Sequence, residues 1–112
     1  MREQLVLEHA RVFDFVRAHI RRVLRTRLRY RYVRPQVLHA EAGWRIVSPC
    51  CSRNVDSRGG LIDIAWIEPL ERGYRLHARD HENGCWIAHA DSEDLSVLLD
   101  ALRLDPQRRF WP

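Results

Sequence analysis

The stretch from 61 to 90 reads LIDIAWIEPL ERGYRLHARD HENGCWIAHA and contains three strand patterns in succession. Residues 61–68 are apolar on both faces except for Asp63 and the final Glu68, which is typical of a buried strand. Residues 74–80 and 85–90 flank a short turn sequence with Asn and Gly, which favours a β-hairpin. Because short turns can join only antiparallel neighbours, we expect this stretch to form part of an antiparallel sheet.

The register of the predicted hairpin depends on the length of its turn. A two-residue turn at Asn83-Gly84 would place these residues on one face: Leu76, Ala78, Cys85 and Ile87. A three-residue turn, closed by Gly84 in the left-handed conformation, would group a different set: Leu76, Ala78, Trp86, Ala88 and Ala90. We prefer the second register because it collects the bulkier apolar side chains on one face.

Apolar residues recur at steps of three and four between residues 4 and 24, which predicts an amphipathic helix. From Thr26 the spacing changes to two, because arginines alternate with apolar and aromatic residues over 27–32, and this predicts a strand. Pro35 cannot donate to a sheet ladder, so this strand either lies at an edge or bends there.

A second group of short elements follows Pro35. Val37-Leu38 is expected to continue the preceding strand, and Ala42-Gly43 marks a turn. Alternation from Trp44 to Ser48 then predicts another short strand. The segment 49–60 contains Pro, Asn, Asp, Ser and a glycine pair, so it is expected to be the main irregular loop.

The C-terminal part predicts a second helix and a structural tail. Asp91 or Ser92 is the expected N-cap, with acidic residues in the first turn. The expected buried stripe consists of Leu95, Leu98, Leu99 and Leu102. Asp105-Pro106 ends the helix, and the aromatic pair Phe110-Trp111 is expected to pack against the fold, because large rings are unfavourable in water.

These elements predict an α+β fold with an antiparallel sheet of four to five strands and an N-terminal and a C-terminal helix. A length of 112 residues is expected to form a single domain, residues 1–112. No apolar run is long enough for a membrane span, and the N-terminus lacks the apolar region of a signal peptide. Three cysteines, with Cys50 and Cys51 adjacent, do not suggest a disulfide framework, so we expect a cytoplasmic protein without membrane association.

Charge is distributed unevenly along the chain. All nineteen basic residues are arginines, and residues 1–34 carry ten of them against three acids, a net charge of +7. Residues 35–112 carry nine arginines against twelve acids, a net charge of −3. The absence of lysine is typical of a GC-rich genome, but codon usage does not explain why eight arginines fall between Arg17 and Arg34 without an acid.

The cluster predicts an arginine-rich strip for anions. Guanidinium groups bind phosphate or carboxylate through paired hydrogen bonds, and neighbouring tyrosine rings can stack on bases. The candidate anion- or nucleic-acid-binding residues are Arg21, Arg22, Arg25, Arg27, Arg29, Tyr30, Arg31, Tyr32 and Arg34. The alternative interpretation is a solvated face, or a strip that pairs with the acidic residues of 91–105.

The order of elements and several short motifs resemble a family of small uncharacterised bacterial proteins known only as a domain of unknown function. The matching motifs are Arg34-Pro35-Gln36, Trp44-Arg45-Ile46, Gly73-Tyr74-Arg75-Leu76, Arg79-Asp80, Trp86, Asp105-Pro106 and Phe110-Trp111. The resemblance covers about two thirds of the chain, and it implies a fold outline without an activity. The loop 50–60 and the final Pro112, where glycine is usual, depart from the family pattern.

A second similarity concerns Asp63 and the glycine pair before it. The run Gly59 to Ile64 looks like the first metal-binding strand of restriction-endonuclease-like folds, in which an Asp and a following Glu-x-Lys bind magnesium. The next strand here lacks that motif, and the chain contains no lysine. We therefore expect Asp63 to be ionised and paired with an arginine, with Arg45 and Arg53 as the candidate donors.

Histidine and cysteine raise the question of a metal site. In the preferred hairpin register His77 faces His89 and His81 faces Cys85, so four ligands would share one sheet face. Flat cross-strand pairs rarely converge on a tetrahedral ion, and the chain has no Cys-x-x-Cys pair. Together with Asp63 these residues are weak metal candidates, and we expect no metal and no other cofactor.

The sequence therefore predicts a non-enzymatic binding module whose arginine strip binds an anionic protein surface or single-stranded nucleic acid. A homodimer is a further expectation, because the opposed charges of the two parts of the chain also suit self-association. The alternative is a small metal-dependent, nuclease-like enzyme centred on Asp63 and the loop 50–60.

Overall fold

A computed structural model describes residues 2–27, 34–49 and 60–111, with side chains from residue 11 onward. The elements are α1 (Arg2–Leu24), β1 (Gln36–His39), β2 (Trp44–Pro49), β3 (Leu61–Pro69), β4 (Tyr74–Asp80), β5 (Cys85–Ser92) and α2 (Leu95–Leu104). The predicted α+β class, with a helix before and after an antiparallel sheet, is confirmed. None of the helices described is long and apolar enough to cross a membrane.

The five strands form one antiparallel meander in the order β1-β2-β3-β4-β5. Each strand pairs with its neighbour in sequence, and the connections before β2, β4 and β5 have only four residues each, whereas residues 50–60 join β2 to β3. The turn before β2 contains Gly43, whose φ of +82° suits glycine. Irregularities interrupt the ladder at Ile46/Val47 and at Leu76/His77, so the alternation of faces slips by one residue at each point.

Both helices lie on the sheet face that carries Ile46, Ile67 and Leu76, here called the helix-covered face. The helices contribute Ile20, Leu24, Leu98, Leu99 and Leu102, all buried. The buried stripe predicted for the C-terminal helix is therefore confirmed for Leu98, Leu99 and Leu102, while Leu95 is partly buried against the core. Burying each such side chain stabilises the fold by roughly 1.5–3 kcal/mol, which explains how two amphipathic helices hold a sheet of short strands.

Trp44 connects α1 to the start of β2. Its ring lies 5.0 Å from the ring of Phe13, and its indole nitrogen donates to the carbonyl of Phe13 at 3.2 Å. Tyr74 approaches the same indole at 6.2 Å between ring centroids. A buried tryptophan needs a partner for its N–H, and the helix backbone supplies one here.

The C-terminal tail is part of the core, as predicted. Phe110 and Trp111 are each 2% exposed, and Trp111 donates its indole N–H to the carbonyl of Leu102. Asp105, in a left-handed conformation, ends α2 and accepts hydrogen bonds from the backbone N–H groups of Arg109, Phe110 and Trp111. The carboxylate thus folds the tail back under the helix.

Close to the turn neither predicted pairing is correct, although the two-residue alternative did place Ala78, Cys85 and Ile87 on one face, as observed. The turn has four residues, His81 to Gly84, so that Asp80 pairs with Cys85 and Ala78 with Ile87. The carboxylate of Asp80 accepts from the backbone of Glu82 and Asn83 and closes the turn. Hydrogen bonds from the Asn83 side chain and backbone also lower the pKa of Asp80.

Beyond the irregularity in β5 the preferred register is correct, since Leu76 pairs with Ala90. His89 is the additional residue that restores this register. As a result Trp86 lies on the face opposite the helices, whereas we predicted it beside Ala78. A bulge cannot be seen in the alternation of a sequence, because it changes the phase without changing the residue types.

The start of α2 differs from the prediction. The N-cap of α2 is Asp94, which accepts from the backbone N–H of Ser96, and not Asp91 or Ser92. The first turn contains no acid, because β5 continues to Ser92 and α2 begins only after Asp94. Of the strand predicted for 27–32, Arg27 is described and lies outside any strand, while residues 28–32 and most of the loop 49–60 lie outside the described residues.

Candidate anion-binding surface

The last turn of α1 and the residue after it carry three exposed arginines. Arg21, Arg22 and Arg25 follow each other at spacings that place them on one side of a helix. Their opposite side contributes Ile20 and Leu24 to the core, so the burial of the apolar stripe directs the guanidinium groups to solvent. We call this group the helix-end arginines.

The helix-end arginines surround a shallow concavity of about 220 Å³ together with Ala18. The small side chain of Ala18 leaves room between the longer ones. Within the described part of the chain, no carboxylate lies within 4.0 Å of the three guanidinium groups. The site therefore has positive charge, donors and space for an anionic group.

The remaining residues of the predicted strip have different positions. Arg34 is exposed just before β1. Arg27 is 3% exposed, donates to the carbonyl of Leu24 at 2.8 Å and lies 5.0 Å over the ring of Trp111. Arg27 is thus held between the end of α1 and the tail, and we leave it out of the proposed surface. The other members lie outside the described residues: Arg29, Tyr30, Arg31 and Tyr32.

Asp63, the centre of the alternative interpretation, is on the sheet face away from the helices, here called the second face. Its carboxylate is 3.0 Å from Nε of Arg45 and 4.0 Å from Nε of Arg79. The predicted pairing with Arg45 is confirmed, while Arg53 lies outside the described residues. Two guanidinium groups beside one carboxylate disfavour a divalent cation, because they repel it and occupy the oxygens.

An aromatic cluster on the second face was missed by the sequence analysis. Trp66 stacks on His77 with ring centroids 4.2 Å apart, and Trp86 approaches Trp66 at 6.1 Å. Arg79 lies 4.9 Å over the ring of Trp86, and Glu68 is 3.1 Å from Nε2 of His77. The sequence did contain a signal for this cluster. Trp66 lies between Ala65 and Ile67, which are buried, so the alternation of side chains along a strand places Trp66 on the opposite face.

The polar groups of this second face are engaged with one another. Arg75 donates two hydrogen bonds to Asp91, at 2.7 and 3.0 Å, and this pairing lowers the pKa of Asp91. Because Asp63 and Glu68 also contact basic side chains, the second face consists of matched charges around an aromatic centre. This arrangement stabilises the sheet surface and offers less unpaired positive charge than the helix-end arginines.

The weak metal candidates do not come together. In the described part of the chain, no group of three or more His, Cys, Asp or Glu residues could hold a metal ion. His77 pairs across the ladder with Ala88, not with His89, and Cys85 pairs with Asp80, not with His81. Burial, followed by the charge of Arg79, lowers the pKa of His81. His89 instead packs edge-on against Phe110 at 5.1 Å.

The family model described as Domain of unknown function (DUF3024) matches residues 9–112. The chain therefore belongs to this family, and the resemblance noted from its short motifs is confirmed. No curated protein and no solved structure matches the chain.

Proposed function

We propose that this chain is a non-enzymatic binding module that binds an anionic partner through the helix-end arginines, Arg21, Arg22 and Arg25. The observation that carries the proposal is their exposure around one concavity without a carboxylate partner in the described residues. Guanidinium groups bind phosphate and carboxylate oxygens, so single-stranded nucleic acid and an acidic protein surface are the candidate partners.

Electrostatics supports this surface over the second face. Each helix-end arginine brings a charge that the described residues leave unneutralised, whereas the arginines of the second face already contact Asp63 or Asp91. An incoming anion at the second face would first have to displace a carboxylate. At the helix end it would displace only water and small counterions.

The alternative of a metal-dependent, nuclease-like enzyme has less support. It requires a cation beside Asp63, where Arg45 and Arg79 already provide positive charge. The exposed helix-end arginines, which have no carboxylate partner among the described residues, therefore favour binding over catalysis as the function of this chain.

The test is a set of binding isotherms with a fluorescent single-stranded oligonucleotide and with polyglutamate, each at several salt concentrations. For single strands, each phosphate contact contributes about −0.7 to the slope of log affinity against log salt. The triple substitution Arg21→Gln, Arg22→Gln and Arg25→Gln should flatten this slope by about 2 units.

A matched control changes the net charge equally at three other exposed arginines, Arg11, Arg72 and Arg108. Replacing these three with Gln should leave most of the affinity and the slope intact. Equal losses in the two triple variants would show that only net charge matters and would contradict the proposed site. Binding of polyglutamate but not of the oligonucleotide would identify the partner as acidic protein.

A further inference from the structure

β5 is an edge strand of the sheet. It pairs with β4 on one side, and no described strand pairs with its other side. At eight residues it is twice as long as β1, the strand at the opposite edge, which has four. An edge strand presents unpaired backbone N–H and C=O groups, which are complementary to another edge strand.

The usual protection of an edge is sparse along β5. Residues 85–90 contain no proline, no acid and no arginine, and Cys85 to Ala88 form a regular run before the extra residue His89. Edge strands that avoid pairing normally carry charges, proline or a bulge. Within residues 85–90 the bulge at His89 is the one feature of this kind. Two copies could therefore meet along Cys85 to Ala88 without like charges in contact.

Apolar side chains lie beside this edge. Ile87 is 39% exposed although it pairs with the buried Ala78 on the helix-covered face. Leu104, at the end of α2, is 40% exposed and lines a concavity of about 310 Å³. His89 of β5 and Phe110 of the tail line the same concavity, so the groove runs between the edge strand and the helix.

We propose that β5 is a homodimer interface, in which a second copy of this chain pairs with it in antiparallel orientation. A two-fold axis at Ile87 places the two Ile87 side chains opposite each other on the helix-covered face. The same register places Trp86 opposite Ala88 of the second copy on the second face. Pairing then joins two five-stranded sheets and covers the exposed apolar side chains beside the edge.

The charges around the groove fit a second copy. Asp100 and Arg109 both line it, so a two-fold contact can bring an acid of one copy towards a base of the other. An extended peptide of another protein would also pair with an edge strand, but it would leave the purified chain monomeric. The dimer is independent of the helix-end arginines, which lie on a different element.

The test is the mass in solution, by sedimentation velocity and light scattering over a range of concentrations. The parent should be a dimer that dissociates on dilution, and Ile87→Lys should raise the dissociation constant at least tenfold. The control is Val97→Lys, because Val97 is 55% exposed on α2 and lies outside the edge. It should leave the dimer unchanged.

Hydrogen exchange provides a second measurement that does not depend on the folding of a variant. In the parent, amides of Trp86 and Ala88 should become protected as the concentration rises, while those of β1 should not change. A parent that stays monomeric at about 0.5 mM, roughly the upper range of weak association, would overturn the proposal. A dimer that tolerates Ile87→Lys but not Val97→Lys would overturn it as well.

Discussion

At the scale of single residues, the structure distinguishes arginines that stabilise the fold from arginines that remain available. Arg27 lies over Trp111, and Arg45, Arg75 and Arg79 contact carboxylates of the second face. The helix-end arginines have no such partner among the described residues. Arginine suits both uses, because its charge is permanent and its planar group can stack or form paired hydrogen bonds.

Asp63 provides a prediction on the second face. Its side chain is 26% exposed and that of Arg45 is 47% exposed, so the pair lies between a buried and a surface ion pair. We expect Asp63→Ala to lower the free energy of unfolding by about 1–3 kcal/mol, because Arg45 and Arg79 lose their acceptor. Asp63→Asn should have a smaller effect, since the amide oxygen still accepts a hydrogen bond.

Urea denaturation of the two variants and the parent measures these effects. Asp14→Asn serves as the control, since Asp14 is 60% exposed and the described residues give it only a surface contact with His39. The control should change stability by less than about 0.5 kcal/mol. If Asp63→Asn were at least as stable as the parent, Asp63 would be held there for a function and the structural role argued here would be wrong.

At the scale of elements, the carboxylate of Asp105 connects α2 to the tail. Replacing it by Asn leaves one acceptor oxygen and directs an N–H₂ group towards backbone N–H donors. We expect Asp105→Asn to lower the free energy of unfolding by about 1–3 kcal/mol, measured by urea denaturation, because buried donors lose their partner. Deleting residues 108–112 should have a larger effect, since it also removes two buried rings.

The result that would contradict this account is a tail deletion that melts like the parent. Phe110 and Trp111 would then contribute nothing to the core. A control substitution at Gln107, which is exposed beside the same turn, should have little effect. The comparison separates the loss of the Asp105 hydrogen bonds from a general sensitivity of this segment.

Two turn glycines with positive φ, Gly73 and Gly84, provide a second prediction about how the strands pack. Gly73 has a φ of +93°, and a Cβ there would lie 2.4 Å from the carbonyl oxygen of Ser92. Gly84 has a φ of +65°, but its Cβ would meet no atom closer than 4.0 Å. Gly84→Ala should therefore cost only the backbone strain of about 1–2 kcal/mol, and Gly73→Ala clearly more.

Thermal melts followed by circular dichroism compare the two alanine variants directly. The larger decrease in Tm should belong to Gly73→Ala, because the end of β5 must move to admit the methyl group. Equal decreases for the two variants would mean that β5 and the turn before β4 do not approach each other as described.

Much of the architecture could be predicted from local patterns. Apolar residues at steps of three and four predicted α1 and the leucines of α2. Turn-forming residues predicted the boundaries of β3 and β4. Asp94 was missed as a cap because the run Asp91 to Asp94 offers several capping side chains, and only the length of β5 selects one. Trp86 was placed on the wrong face because a bulge shifts the phase without a signal of its own.

The candidate site could be predicted from the sequence only in part. The helix-end arginines were correctly predicted to be exposed, because the apolar stripe of α1 determines which side of the helix faces solvent. The same reasoning could not find that Arg27 turns inward over Trp111, because the contact joins residues 84 positions apart in the sequence. Such contacts depend on tertiary packing and not on local periodicity.

At the scale of the whole molecule, the structure separates two surfaces with different properties. The end of α1 carries positive charge without a carboxylate partner among the described residues, whereas β5 carries exposed apolar side chains and pairs with a described strand on one side only. If both proposals hold, a dimer presents two arginine surfaces at once. A long anionic partner would then bind more tightly than a short one, because the second contact becomes intramolecular.

The proposed contact between the helix-end arginines and the anion can be observed residue by residue by NMR of the guanidinium Nε–H groups. During titration with a single-stranded oligonucleotide, the signals of Arg21, Arg22 and Arg25 should shift and saturate together. The buried Arg27 and the exposed Arg72, in the turn before β4, should stay unchanged apart from a small salt effect. Saturable shifts at Arg72 with none at the helix-end arginines, or no saturable shift at low salt with either the oligonucleotide or polyglutamate, would contradict the claim.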